Sequence, residues 1–359
     1  MDLHLVGGFL GSGKTTAIIG AAKHLLAAGK RVGVVTNDQG KYLVDTAFVR
    51  LAGVPTVEVT GGCFCCNYDD LDAHLDRLVR EVRPDVIFAE SVGSCADIVA
   101  TVVKPLLELR PAGNAPASYS VFVDARLLQL RLAGVPMPFS DPVTYIFDKQ
   151  MEEAGLLVLN KADLLEAAEQ EELLAAARQA FPHKTLRLQN SREEEQVAGW
   201  VELIGSHRLP LPEQSLQIDY DTYAAGEAEL AWLNEEFVLS LPPGEARDGV
   251  IRFITALLEK VGRAAIGHLK FLIQPEGGPE SKLSFTTLSA PGDWTGQIPA
   301  FDSPKVRVLV NARVEMGAQE LHERIEAAAA ALPAGSAVQV GGRAEYFHPS
   351  YPRPLHRIA

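Results

Sequence analysis

Three segments of this chain carry residue types whose spacing suits phosphate, base and metal chemistry. The first, Gly8 to Thr15 (GFLGSGKT), meets G-x-x-x-x-G-K-[ST] at every defined position. It follows an apolar run and opens an amphipathic one, the strand-to-helix setting that a phosphate loop requires. Gly8, Gly11, Ser12 and Gly13 form a loop whose glycines let backbone N–H groups approach phosphate without a Cβ in the way. The helix that follows turns its positive end to the anion. Lys14 is placed to reach the β- and γ-phosphates, the Thr15 hydroxyl to ligate Mg²⁺, and Thr16 to lie near the α-phosphate. A glycine turn of no consequence is the alternative, and the flanking elements argue against it.

The second segment is Asp85 to Gly93 (DVIFAESVG), an apolar strand ending in an acid. Glu90 would lie beside the phosphate loop, holding the Mg²⁺ shell or a water, with the Gly93 N–H turned to the γ-phosphate. A surface acid after a buried strand is the plainer reading of Glu90 taken alone. Further on, Asn160-Lys161-Ala162-Asp163 follows the apolar run LLVL. A carboxylate at Asp163 accepts from guanine N1–H and the exocyclic amine. Adenine offers no such donor pair and would leave the acid unpaired, a cost of several kcal/mol. Asn160 would brace the loop and the Lys161 stem would cover the base. GTP or GDP with Mg²⁺ is the expected ligand.

The third segment, Thr60 to Asn67 (TGGCFCCN), holds three of the four cysteines. Cys63, Cys65 and Cys66 lie close enough to converge as thiolates on one borderline or soft cation, Zn²⁺ foremost or another such as Co²⁺. Zinc takes four ligands. Glu58, a water, a substrate group, Cys95 or a second subunit are the open choices for the fourth. Buried, incidental thiols are the alternative, and a Cys-x-Cys-Cys run behind paired glycines speaks against it.

These motifs need a scaffold. Apolar runs at Leu3–Val6, Arg31–Thr36, Thr56–Val59, Val86–Ala89, Ser118–Val123 and Gly155–Leu159 alternate with helical composition at 15–28, 70–82 and 165–180. That alternation predicts an α/β fold: a doubly wound, mainly parallel sheet of the P-loop NTPase class. Every motif falls where a strand would end, the edge at which such sheets bind ligands. The pattern breaks at residues 207–216 (HRLPLPEQSL), which places a boundary near 213. Residues 1–213 are expected as the nucleotide domain and 214–359 as a smaller α+β domain. Strands are expected there at Leu230–Leu239, Ile266–Ile273, Lys282–Thr287, Val306–Val310 and Ala337–Val340. Helices are expected at Gly249–Val261 and Ala318–Leu332, with a split βαβ pattern. Loops are expected at 275–281 and 291–304, and an irregular course from His348 to Ala359.

The chain has 359 residues and a formal net charge of -13. So acidic a balance argues against nucleic acid as a partner and against anionic membranes, because both need basic surface. No run approaches the ~20 apolar residues that span a bilayer, and the start has no signal-peptide pattern, so a cytoplasmic address is expected. Cysteines clustered in a chain without a secretion signal point to metal or redox chemistry rather than a disulfide scaffold.

With GFLGSGKTT, GGCFCC, AESVG and NKAD in this order, residues 3–205 resemble the CobW-like branch of P-loop GTPases, relatives of the GTPases that insert nickel into hydrogenase and urease. The resemblance implies a metallochaperone or metal insertase in which GTP state controls metal capture and release. It implies metal on Cys63, Cys65 and Cys66, phosphate and Mg²⁺ on Lys14 and Thr15, and guanine on Asn160 and Asp163. Asn37-Asp38-Gln39-Gly40, with Asp45 downstream, is similar to the family's Asn-Glu-Phe-Gly…Asp segment. Asp38 stands for the usual Glu and Gln39 for the usual Phe. Asp38 and Glu90 are the candidate catalytic bases, with Lys14 the catalytic cation. Gln150 also fits the family pattern. A client metalloprotein is the implied partner, and a homodimer is compatible. Ile218–Asn234 is similar to a subset found beside corrinoid-dependent methyl transfer, which makes chaperoning a corrinoid enzyme the alternative function. A nucleotide-sensing regulatory protein is the third reading. His268, His348 and His356 are further candidates for metal or partner contacts.

Overall fold

The first-half strands are apolar on both faces because both faces are covered by helices. The computed structural model describes all residues except 38–43, 52, 60–61, 110–115, 290–291, 293 and 342–343. Two compact units are present. Among the described residues, one comprises 1–37, 45–226 and 351–359, the other Val44 and 227–350. The units are therefore not contiguous in sequence, unlike the expected pair 1–213 and 214–359.

The first unit is a seven-stranded sheet: β1 (Asp2–Gly8), β2 (Val32–Asn37), β3 (Thr56–Val59), β4 (Val86–Glu90), β5 (Pro116–Asp124), β6 (Leu156–Asn160) and β7 (Thr185–Gln189). Its spatial order is β3-β2-β4-β1-β5-β6-β7, and every pairing is parallel. The chain runs outward from β1 in both directions, so the carboxyl end of β1 opens between β4 and β5. That is where an open α/β sheet forms its binding crevice.

The connecting helices are α1 (Lys14–Ala27), α2 (Val44–Leu51), α3 (Tyr68–Glu81), α4 (Lys104–Leu109), α5 (Ala125–Leu132), α6 (Asp141–Glu153), α7 (Ala167–Ala180), α8 (Glu194–Gly205) and α9 (Tyr220–Glu229). Helix α1 buries Ile18 beside the small residues Ala17, Ala21 and Ala22. They allow α8 to pack so closely that a Cβ on Gly20 would lie 3.2 Å from Val197. Trp200 of α8 is fully buried against Phe88 and Phe122, and its indole N–H donates to Ser120 Oγ at 3.3 Å. Helix α3 buries Leu71, Leu75 and Leu78 at helical spacing and starts with Asp69 and Asp70, acids that suit a helix N-terminus. Residues 208–219 carry no regular element.

The second unit is antiparallel. It holds β8 (Leu230–Ser240), α10 (Ala246–Val261), β9 (Ile266–Pro275), β10 (Ser281–Phe285), β11 (Lys305–Glu315), α11 (Ala318–Ala328), β12 (Ala337–Val340) and β13 (Glu345–Phe347). The order β10-β9-β11-β8-β12 places β11 between β8 and β9, and β8 between β11 and β12. Both βαβ units are thus split, as the sequence predicts. Phe237, Phe253, Leu257, Phe271, Leu321 and Ile325 lie in its core.

Candidate functional site

The phosphate loop begins where β1 meets β5. Gly8 has φ +124°, and a Cβ there would overlap the Phe122 carbonyl, so only glycine fits. Gly11 and Gly13 are also left-handed, at φ +69° and +92°. No side chain caps α1 and its first turn holds no acid. A helix start of this kind turns its leading N–H direction and positive dipole end towards the loop at Gly8–Gly13, a setting that suits an anion. The Lys14 ammonium is buried and donates to the carbonyls of Gly8 (2.7 Å) and Phe9 (3.2 Å), spanning the loop it closes. Thr16 is exposed one residue beyond.

Register brings the second motif alongside. Val6 pairs with Glu90 across β1 and β4. The Thr15 hydroxyl donates to Glu90 Oε1 at 2.9 Å, and both residues are buried. A hydroxyl and a carboxylate form a hard-oxygen pair that fits Mg²⁺, with the remaining positions left to water and phosphate. Past Glu90 the chain runs against the phosphate loop. A Cβ on Gly93 would lie 2.7 Å from Leu10 Cδ2 and 3.2 Å from Leu10 N. Buried Gln150 braces this stretch, donating through Nε2 to the carbonyls of Gly93 (3.0 Å) and Cys95 (2.8 Å).

At the base end, Asn160 is buried at the tip of β6. It donates to the Ser12 carbonyl at 2.7 Å, while its Oδ1 accepts from Ser191 N (3.1 Å) and Ser191 Oγ (2.8 Å). It thus ties the phosphate loop to the turn after β7. Lys161 takes the left-handed conformation at φ +59°, and its ammonium pairs with Asp124 at 2.9 Å. Burial alone would raise the Asp124 carboxyl, but Arg126 at 2.8 Å and Lys161 outweigh it and hold the acid below its ordinary range. Burial pulls the Lys161 ammonium down, and Asp124 opposes that shift. Asp163 stands exposed in the 3₁₀ turn Ala162–Leu164. Ser191 and Asp124 belong to no motif visible in the sequence.

The cysteine loop sits between β3 and α3. Cys66 and Asn67 donate their N–H groups to the Cys63 carbonyl, at 3.0 and 2.9 Å, folding the loop into one turn. The side chain of Asn37, at the end of β2, holds that turn. It donates to the carbonyls of Val59 (3.2 Å) and Gly62 (2.7 Å) and accepts from Phe64 N (2.9 Å). The sulfur, imidazole and carboxylate donors that converge here, among the described residues, are Cys63, Cys65 and Cys66, all within 4.8 Å of one another. Cys65 Sγ and Cys66 Sγ are 3.8 Å apart. With Zn–S bonds of about 2.3 Å, a tetrahedral site has an S···S edge of about 3.8 Å.

Several expectations need correction. Cys63 and Cys65 are joined as a disulfide in this structure, within the same three-cysteine group that could hold a metal ion. Two electrons and two protons return that pair to thiols, and only then do both offer ligand sulfur. Glu58 does not join the cysteine group but pairs with Arg50 at 3.7 Å, because it points across β3 towards α2. Cys95 is buried and lies outside the group as well. His348 is taken up structurally, its Nε2 accepting from the first N–H of α11 at 3.1 Å. His268 lies in β9. Asp45 falls in the first turn of α2. Asp38 and Gln39 lie outside the described residues.

Residues 2–187 match the model of the CobW/HypB/UreG nucleotide-binding domain. The chain belongs to the CobW/HypB/UreG family. It is 30% identical over 184 residues to the zinc chaperone CobW of Sinorhizobium sp, covering 46% of this chain and 51% of that protein. It is 31% identical over 170 residues to the zinc chaperone YeiR of Escherichia coli strain K12, covering 45% and 46%. The chain therefore spans about half the length of the curated relatives it matches. A crystal structure of HypB from Helicobacter pylori in complex with nickel aligns at 17% identity and TM-score 0.40, over 61% of this chain and 91% of that one. No helix among the described residues is long and apolar enough to cross a membrane.

Proposed function

We propose that this CobW/HypB/UreG protein is a Mg²⁺-dependent GTPase that carries a transition metal, zinc foremost, to a client protein. Nucleotide state sets capture and release. The observation that carries this reading is the convergence of Cys63, Cys65 and Cys66 within 4.8 Å, in a turn clamped by Asn37 at the end of β2. Asn37 opens the segment that also contains Asp38, the candidate base. A nucleotide-dependent movement of that segment would pull on the metal turn directly. The curated relatives' name, zinc chaperone, favours zinc as cargo.

The remaining roles follow from chemistry. Lys14, Thr16 and the amides of Gly8, Gly11, Ser12 and Gly13 hold phosphate. Thr15 and Glu90 hold Mg²⁺, which would offset charge on the β- and γ-phosphates. Gly93 offers its N–H to the γ-phosphate. Asn160, Lys161 and Asp163 select guanine. Hydrolysis with Asp38 or Glu90 orienting water then resets the carrier.

The test is a titration of Zn²⁺ and of Co²⁺ into reduced, metal-free protein, with Mg²⁺-GDP and with a Mg²⁺-GTP analogue. A Cys63/Cys65/Cys66→Ala variant is the control. Thiolate-to-cobalt charge-transfer absorption that needs the cysteines and differs between nucleotides is the expected result. Metal affinity indifferent to both the cysteines and the nucleotide would refute the proposal.

A further inference from the structure

Residues 351–359 have no regular secondary structure, yet they are closely bonded to the first unit. Within four consecutive residues this segment touches both ligand loops. Leu355 donates its N–H to the Cys65 carbonyl at 3.0 Å. The His356 ring stands edge-on to Tyr68, the first residue of α3, at 5.1 Å between centroids. Arg357 Nε donates to Asp97 Oδ2 at 2.8 Å, and Ile358 N donates to the Ala100 carbonyl at 2.9 Å. Further bonds pin the segment in place. Arg357 Nη2 donates to the Leu216 carbonyl, Ser215 Oγ to the Ile358 carbonyl, and the Tyr351 hydroxyl to Asp221 Oδ1.

Asp97 is an unusual anchor. Its φ is +65°, in the left-handed region, which Asp enters more readily than most non-glycine residues. Its buried carboxylate accepts from Arg357 and from the Tyr220 hydroxyl (2.7 Å), and its carbonyl accepts from Thr101 Oγ1. It lies seven positions beyond Glu90, in the stretch that passes Gly93 against the phosphate loop and that Gln150 braces. The cysteine turn and the loop after Glu90 are far apart in sequence. The short span Leu355–Ile358 bonds to both.

We infer that residues 351–359 are a strap that positions the cysteine turn relative to the loop after Glu90, with Arg357 as the positioning residue. The strap is a second connection between nucleotide and metal loops, besides Asn37. A shift at Gly93 carried to Asp97 and Ala100 moves Arg357 and Ile358, and through Leu355 the Cys65 carbonyl. Without Arg357 the strap loses its only ion pair among the described residues, and the cysteine turn opens more often. This inference rests on the metal-carrying reading of that turn, but its first readout does not need metal.

The experiment follows thiol reactivity in reduced, metal-free protein with Mg²⁺-GDP, using an aromatic disulfide reagent. In a Cys95→Ser background, which removes the buried thiol near Asp97, half-exposed Cys66 should react first, and buried Cys63 and Cys65 slowly. Arg357→Ala should accelerate the slow phase by about tenfold or more, the shift in local opening that follows loss of a charge-assisted hydrogen bond. Arg357→Lys should retain most of the protection. Leu355→Pro removes the donor to Cys65 and leaves Arg357 in place, and should accelerate the same phase. It also keeps the inference testable if Arg357→Ala does not fold. In both variants the difference in Zn²⁺ affinity between the two nucleotides should shrink. Unchanged slow-phase rates in folded variants, with cysteine-dependent zinc binding intact, overturn the strap. Zinc binding that ignores the cysteines in the unaltered protein overturns the metal reading instead.

Discussion

Replacing Glu153 with glutamine should make the protein more stable at alkaline pH. Glu153 is the last residue of α6 and is fully buried. Its Oε2 accepts from Val99 N at 3.1 Å, and its Oε1 accepts from the Tyr119 hydroxyl at 3.3 Å. Burial pushes its carboxyl from 4.5 up to about 8, and Asp97 adds repulsion, while the Val99 and Tyr119 donors pull it back. A pKa raised by folding means that the neutral acid is the form the fold accepts. Its contribution is complete below about pH 4.5 and is lost as pH rises through 8. At 1.36 kcal/mol per unit, the loss between pH 5 and pH 8 is about 4 kcal/mol. Glu153→Gln keeps the shape and an acceptor oxygen but cannot ionise. The measurement is urea unfolding of both proteins at whole pH steps from 5 to 8, taking the difference at each step. That difference should climb by about 1.4 kcal/mol per pH unit in favour of glutamine. Parallel curves with a constant offset would refute the reasoning, since they would mean that water reaches the carboxylate or a cation compensates it.

Two further substitutions test the nucleotide site. Asn160→Ala strands the Ser12 carbonyl and the Ser191 N–H in a buried place, at about 1–3 kcal/mol each. GDP affinity measured by calorimetry should fall by roughly ten- to a hundredfold, and an unchanged affinity would show that the phosphate loop holds its shape unaided. Gly8→Ala forces a Cβ into the Phe122 carbonyl at a left-handed φ. Thermal melting should show a loss of several kcal/mol, and an unaltered midpoint would mean that β1 and β5 part easily at that point.

The parts of the site that the sequence makes legible are those built from neighbours in the chain. Gly8, Gly11 and Gly13 sit at the positions that need positive φ, and Lys14 and Thr15 follow at fixed distance. Six of the seven strands of the first sheet overlap the apolar runs expected for them, as strands covered on both faces tend to be apolar, while β7 (Thr185–Gln189) was not foreseen. The helical period of Leu71, Leu75 and Leu78 likewise marks α3. Helix α8 went unforeseen although Val197, Trp200 and Ile204 carry the period, since its charged opening resembles a loop. Strand β13 has three residues and exists only through its register with β8.

Sequence alone was enough for the fold class, the phosphate loop, the Asn160–Asp163 loop and the clustering of three cysteines. In each case the determining physics is local: backbone torsions, the N–H groups at a helix start, and the period of apolar residues. Tertiary structure decided the partners. Asn160 meets Ser191 because β6 pairs with β7, placing Asn160 opposite Gln189. Thr15 meets Glu90 because β1 pairs with β4. Asn37 closes on Phe64 across 27 positions, Arg357 on Asp97 across 260, and Glu58 turns to Arg50 instead of the cysteines. Such contacts arise when buried polar groups, cut off from water, take whichever partner strand register and packing bring within reach, and no local pattern in the chain records that choice.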